Sequence, residues 1–203
     1  MPLSPATAVA SATFNQGNGQ YYQAALRDQV FMGGTLIAGV ALPVMAATLA
    51  SKFTLANPIG SGVIAELIEF AQGIDNATTV VNGIGVAVLY NYSQLSTGLP
   101  TSPTFAAGAA QTNAAVGNGG ISTSGKAVPK CGLYSALTLT NAAVFGPVQW
   151  ILPGFAAVTD SGLAPPPYIF NGKIILPPDS LATFVTSVAA ATAAAYSLLW
   201  AEW

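Results

Sequence analysis

NGKIILPPDSLATF, residues 171–184, places two apolar runs on either side of a Pro-Pro-Asp-Ser corner. Residues 174–176 have the β-branched, apolar character of a strand, and a second apolar run begins at Leu181. Proline cannot donate a hydrogen bond to a β-ladder, and Pro, Asp and Ser all favour turns, so the first strand should end at Pro177. The stretch therefore predicts two strands joined by an abrupt corner, as a β-sandwich requires.

Similar short apolar runs recur along the chain, separated by turn-forming residues. They occupy residues 52–55, 63–70, 86–91, 133–140, 148–152, 174–176, 181–188 and 196–201. Asn82-Gly83 is a favoured type I′ hairpin centre, and the prolines at 165–167 should hold the chain at a sheet edge or outside it. Eight or more short strands with turns between them predict an all-β fold, an antiparallel β-sandwich that is jelly-roll-like.

VIAELIEF, residues 63–70, is the most ambiguous of these runs. Helical spacing would group its aliphatic side chains on one face, whereas strand alternation would put Glu66 and Glu69 on opposite faces. Glycines crowd both ends of the run, and the rest of the chain has β character. We therefore expect a strand.

The chain divides into two unequal parts by composition. Residues 1–20 are small and polar, and we expect an extended N-terminal arm that is ordered only if something holds it. Residues 21–203 are expected to form a single jelly-roll-like β-sandwich with a long low-complexity insertion at about 94–130. The insertion could reach a neighbouring subunit, or it could link two domains.

The scarcity of charge is the strongest compositional signal. Hydrophobic residues make up 52% of the chain and charged residues only 6%, whereas soluble domains usually carry about 25% charged residues. This deficit predicts extensive burial against protein partners or lipid. Direct nucleic-acid binding is not expected, because five scattered Lys and Arg residues cannot form a basic face.

A membrane span is the rival explanation of this composition. Residues 30–51 lack any charge and are long enough to cross a bilayer, at about 20 residues. Three glycines and Pro43 interrupt the run, and no cationic cluster flanks it, so we expect no membrane span. The N-terminus has neither the positive region nor the apolar core of a signal peptide.

Few residues suggest chemistry. The chain has no histidine, which excludes Ser-His-Asp and Cys-His catalytic arrangements, and its single cysteine, Cys131, is expected to be a small buried thiol. Glu66 and Glu69 could form a carboxylate pair, but solvated glutamates are the simpler reading. We therefore predict no enzyme activity and no catalytic, cofactor-binding or metal-binding residues.

Two stretches resemble β-rich virion proteins of tailed bacteriophages, including small capsid cement or decoration proteins. They are FTLANPIGSG, residues 53–62, and KIILPPDSLATF with AYSLLWAEW, residues 173–184 and 195–203. Asp179 stands where this resemblance would place a glycine. The resemblance implies a single jelly-roll-like sandwich without catalytic residues. It also implies a homotrimer that clamps the major capsid protein at the outer capsid surface of the virion.

A receptor- or carbohydrate-binding β-sandwich of a phage head or tail fibre is the alternative function. Such a site would need exposed aromatic side chains on loops, and the candidates are Tyr90, Tyr92 and Tyr168. A membrane protein using residues 30–51 is the third hypothesis.

Overall fold

Two antiparallel β-sheets packed face to face form the body of the molecule in the computed structural model. It describes residues 21, 24–25, 27, 29–35, 40–45, 48–74, 83–92, 114–118, 129–134, 137–140, 148–152, 166–187 and 194–203. The strands in these ranges are β1 Val30–Thr35, β2 Thr48–Ser51, β3 Thr54–Asn57, β4 Ala65–Ile74, β5 Ile84–Tyr90, β6 Ala114–Asn118, β7 Gly132–Tyr134, β8 Leu137–Thr140, β9 Gln149–Leu152, β10 Tyr168–Ile169, β11 Ile175–Leu176, β12 Ser180–Thr186 and β13 Ala194–Glu202.

The front sheet has the order β10-β4-β13-β1-β6, and β11 also pairs with β4. The back sheet has the order β7-β3-β12-β5-β9, and β2 and β8 form a separate two-stranded sheet. From β3 to β7, successive strands alternate between the back and front sheets. This wrapping confirms the predicted antiparallel, jelly-roll-like β-sandwich. The predicted arm, residues 1–20, lies outside the described residues.

Aromatic rings fill the centre of the sandwich and join its two sheets. Phe70 of the front sheet stacks on Phe184 of the back sheet with ring centroids 4.5 Å apart and planes at 11°. Phe53 lies edge-on to Phe184 at 5.4 Å and contacts Tyr196 at 5.9 Å. All four residues are buried in one continuous cluster with Trp200. Ring pairs of this kind add about 0.5–1.5 kcal/mol each beyond area burial.

Each sheet is also covered on its outer side. Behind the back sheet, Leu181 and Val185 of β12 pack with Leu49 of the two-stranded sheet. On the outer side of the front sheet, Ala24 packs against Ile68 and the first residue of β1. Strand β12 is therefore buried on both faces along its whole length. This explains why polar and apolar residues do not alternate along it.

The opening stretch crosses from one sheet to the other. β11 ends in the front sheet at Leu176 and β12 begins in the back sheet at Ser180. Asp179 adopts a φ of 66°, a left-handed conformation that suits glycine better, which explains why a glycine is the expected residue there. The Ser180 hydroxyl closes the turn by donating to the Pro177 carbonyl at 2.5 Å.

A second crossing, NPIGSG between β3 and β4, lies directly beside the first. Gly60 and Gly62 have φ values of 77° and 70°, which allow the chain to reverse there. The buried Asn57 amide donates to the carbonyls of Val63 and Leu176, both at 2.8 Å. One side chain therefore fastens both crossings to each other.

The aromatic C-terminal strand is central, as its composition predicts. β13 lies between β4 and β1 in the front sheet, and Trp200 is fully buried. The buried Glu202 carboxylate accepts hydrogen bonds from the backbone N–H groups of Lys130 and Cys131 at 2.9 and 3.0 Å, and from the Trp200 indole at 3.1 Å. Glu202 thus ties the front sheet to the start of β7 in the back sheet.

Several sequence predictions are refined by the fold. Residues 133–140 do not form one strand, because β7 and β8 pair in different sheets. Residues 114–118, within the predicted insertion, form the edge strand β6. Residues 65–70 belong to a strand as expected, with residues 63 and 64 just before it, and β10 is an edge strand as the prolines predict. The Asn82-Gly83 hairpin centre lies outside the described residues except for Gly83.

Residues 30–51, the candidate membrane span, contain strands β1 and β2. Among the residues that the structure describes, no helix has the length and apolarity needed to cross a bilayer.

Candidate interaction surface

Exposed apolar side chains concentrate on the outer face of the front sheet. Nine large apolar side chains are exposed in the described part of the chain, and five of them lie on this face or its border, each 43% to 52% exposed. They are Met32, Ile64, Ile169, Ile175 and Trp203. We call these five residues, together with Glu66 and Glu69, the front patch.

Strand register places these residues on the same face. Ile169, Glu69, Leu199 and Met32 form one row across β10, β4, β13 and β1. A second row runs from Ile175 of β11 through Glu66 of β4 and Ala201 of β13 to Val30 of β1. Directly paired residues share a face, so the two rows form a continuous surface.

A β-bulge brings both glutamates to this surface. Leu199 pairs with Glu69 and Trp200 with Leu67, so Ile68 is an extra residue in β4. An extra residue interrupts the two-residue alternation, and Glu66 and Glu69 therefore point the same way. The prediction that a strand would put them on opposite faces is wrong for this reason.

Glu66 is the polar centre of the front patch. Its two carboxylate oxygens accept hydrogen bonds from the Tyr21 hydroxyl at 2.5 Å and from the Trp203 indole N–H at 3.1 Å. Burial raises the pKa of Tyr21, and the hydrogen bond to Glu66 and its negative charge raise that pKa further. Trp203 also exchanges two backbone hydrogen bonds with Ile64, at 2.9 and 3.0 Å. Glu66 thus holds the exposed indole in place beside two isoleucines.

A strap crosses the same face. We use this name for the described residues between positions 21 and 29, which are Tyr21, Ala24, Ala25, Arg27 and Gln29. Ala24 is buried against Ile68 and Ala201, and the Gln29 carbonyl accepts the Glu202 N–H at 2.8 Å. The strap therefore covers part of the outer face, and its Tyr21 contacts Glu66, while the five apolar side chains of the front patch stay exposed.

The three tyrosines considered for ligand binding lie in different environments. Tyr90 is 50% exposed and donates to the Ile175 carbonyl at 3.4 Å, and Tyr168 is partly exposed at the sheet edge. Tyr92 is buried, and burial followed by the charge of Asp179 raises its pKa to about 12. Tyr92 therefore cannot serve as an exposed binding residue.

The polar clusters in the interior have structural roles. Ser51, Thr54 and Thr183 are buried and hydrogen-bonded to one another, with Thr183 at 2.8 and 2.9 Å from its two partners. Cys131 is buried as predicted, and its surroundings raise the thiol pKa, burial first and Glu202 second. Among the described residues, no group of three or more Asp, Glu, Cys or His side chains is arranged to hold a metal ion.

Sequence reasoning did not identify the front patch. The face of Glu69 depends on the bulge, and the exposure of Ile169 and Ile175 depends on their pairing at the edge of β4. The available signal was the apolar excess of the whole chain, which indicated a covered surface without locating it.

Comparisons of the chain with protein family models, with characterised proteins and with solved structures found no match.

Proposed function

We propose that this protein is a structural subunit of a virion shell that acts by protein–protein contacts through the front patch. The observation that carries the proposal is the concentration of exposed apolar side chains on one sheet face, in a chain with 6% charged residues. Exposed apolar patches rimmed by polar groups usually mark interaction sites. The sequence resemblance to capsid cement and decoration proteins of tailed phages supplies the proposed setting.

The energetics suit a repeated contact. Covering apolar surface contributes about 25 cal/mol per Å², and association costs offset a large part of that. A single patch of a few hundred Å² would give weak binding. Many copies on one particle would turn weak contacts into a stable shell by multivalency. The proposed partners at the outer capsid surface are the major capsid protein and other copies of this chain, for which the sequence resemblance implies a homotrimer.

The location of the protein on purified particles tests whether it belongs to a virion shell. Particles purified from the organism that encodes the chain would be imaged by electron cryo-microscopy and labelled with an antibody against the protein. We expect label and density on the shell surface in many copies per particle. Label confined to a tail or to membranes would contradict the proposal.

A matched pair of variants tests the surface. Ile175→Lys puts a charge into the front patch, whereas Ile59→Lys changes a similarly exposed isoleucine, 44% against 47%, in the turn before β4. We expect Ile175→Lys to weaken binding to particles or to other copies about tenfold or more, because a buried unpaired charge is costly. Ile59→Lys should bind as the wild type does.

Carbohydrate or receptor binding is the second candidate. Trp203 and Tyr90, 48% and 50% exposed, favour it because both lie next to the Glu66–Ile175 row. Saturable binding on a glycan array that Trp203→Ala abolishes would favour this function over the structural one.

A further inference from the structure

The front patch carries a negative group that has no cationic partner among the described residues. Glu69 is half-buried in the row between Ile169 and Leu199, and its carboxylate makes no hydrogen bond or ion pair within the described part of the chain. A carboxylate surrounded by apolar side chains is poorly solvated once the face is covered. A partner that covers this face must therefore bring a cation to Glu69.

The strap on the same face carries a cation. Arg27 is exposed, and within the described residues its guanidinium has no ion-pair partner. It lies between Ala24, which packs on the outer face, and Gln29, which bonds to β13. Within the described part of the chain, this face thus presents a negative and a positive group that form no ion pair with each other, and a second copy could pair with both.

The size of the face also fits a second copy. The front sheet is five strands wide along its main path, and its central strand β13 has nine residues. The five strands have 2, 10, 9, 6 and 5 residues, so at roughly 4.8 Å between strands and 3.4 Å per residue their face measures about 500 Å² in projection, including the part under the strap. Stable protein interfaces bury about 800 Å² on each partner and weak ones bury less, so a face of this size suits a weak dimer.

We propose that two copies of this chain pack front face to front face about a two-fold axis, with Arg27 of each copy paired to Glu69 of the other. In a two-fold interface the same surface serves both copies, so one complementary pair of residues gives two contacts. The proposal rests on the proposed function, because it names the occupant of the front patch. It specifies a dimeric contact, whereas the sequence resemblance implies a homotrimer.

Charge-reversal variants of the full chain test this pairing. Arg27→Glu alone and Glu69→Arg alone each create two like-charge contacts, and each should weaken the dimer about tenfold or more. The two single variants mixed together should form a 1:1 heterodimer, because both contacts are then complementary. The double variant should dimerise like the wild type. Lys52→Glu, which changes an exposed cation in the turn between β2 and β3, is the matched control and should not affect dimerisation.

Sedimentation velocity and native mass spectrometry at about 1–100 µM would measure the assemblies, with circular dichroism to verify folding of each variant. Recovery in the mixture supports the pairing even if one single variant is less stable. A wild type that stays monomeric or forms trimers would overturn the proposal, as would single variants that dimerise unchanged. These solution results are separate from the particle imaging, so the dimer can fail while the shell location stands.

Discussion

Asn57 shows how much of the fold depends on one side chain. Its amide donates to Val63 and Leu176, which belong to the two neighbouring sheet crossings. The side chain and its bond to Leu176 are buried, so water cannot replace that bond. Leaving a buried carbonyl without a donor costs about 1–3 kcal/mol.

We expect Asn57→Ala to lower the free energy of unfolding by about 1–3 kcal/mol, because the buried Leu176 carbonyl loses its donor while the Val63 carbonyl keeps only the Ser61 hydroxyl at 3.5 Å. Urea denaturation followed by circular dichroism would measure the change. Asn171→Gly is the control, because Asn171 is exposed with a φ of 48° that glycine adopts freely, and we expect a change within about 0.5 kcal/mol. A loss for Asn57→Ala no larger than the control's would mean that the amide does not fasten the crossings.

At the scale of the element, the bulge in β4 sets the character of the front face. Ile68 is the extra residue, and the strand pairs regularly with β13 on either side of it. Removing the extra residue would leave both flanking registers intact, whereas removing a residue elsewhere would shift one of them. A shift by one residue turns every following side chain to the other face.

We therefore expect deletion of Ile68 to be tolerated at a cost of about 2–4 kcal/mol, which is the loss of one buried isoleucine side chain. Deletion of Ala71, which lies beyond the bulge and pairs with Ser197, should prevent folding or cost considerably more. Thermal unfolding of the two deletion variants would compare them. Equal stability of the two would show that Ile68 is not the bulged residue.

The same strand shows what sequence could and could not predict. Strand character at residues 65–70, the corner at 177–180 and the central position of β13 follow from local composition and turn chemistry, and the fold confirms them. The bulge, the split of residues 133–140 between two sheets and the front patch could not be predicted. Each depends on which distant strand pairs with which, and no local pattern encodes that pairing.

At the scale of the whole molecule, buried phenols make stability depend on alkaline pH. Burial raises the pKa of Tyr92 from 10.0 to about 12, and burial likewise raises the pKa of Tyr134 and Tyr196. A phenol whose pKa is higher in the folded state favours folding fully below its unfolded pKa. That contribution is lost as pH rises from about 10 through the folded pKa.

We expect the free energy of unfolding to stay nearly constant from pH 7 to 8 and to fall steadily between about pH 9 and 12, first through the buried Cys131 thiol and then through the phenols. Urea denaturation across this range would measure it, with tyrosinate absorbance followed in parallel. The buried tyrosines should ionise only as the ellipticity is lost. Complete ionisation near pH 10 with unchanged ellipticity would contradict the burial of these phenols.

The positions of β12 and β13 have a consequence for how the chain acquires its shape during synthesis. β12 lies between β3 and β5, and β13 lies between β4 and β1, so the middle of each sheet is supplied by residues 180–202. Strands β1, β3, β4 and β5 are synthesised much earlier and lack a central neighbour until β12 and β13 have been made. Both layers are thus completed only after residue 202 has been synthesised, so the earlier strands expose unpaired edges until then.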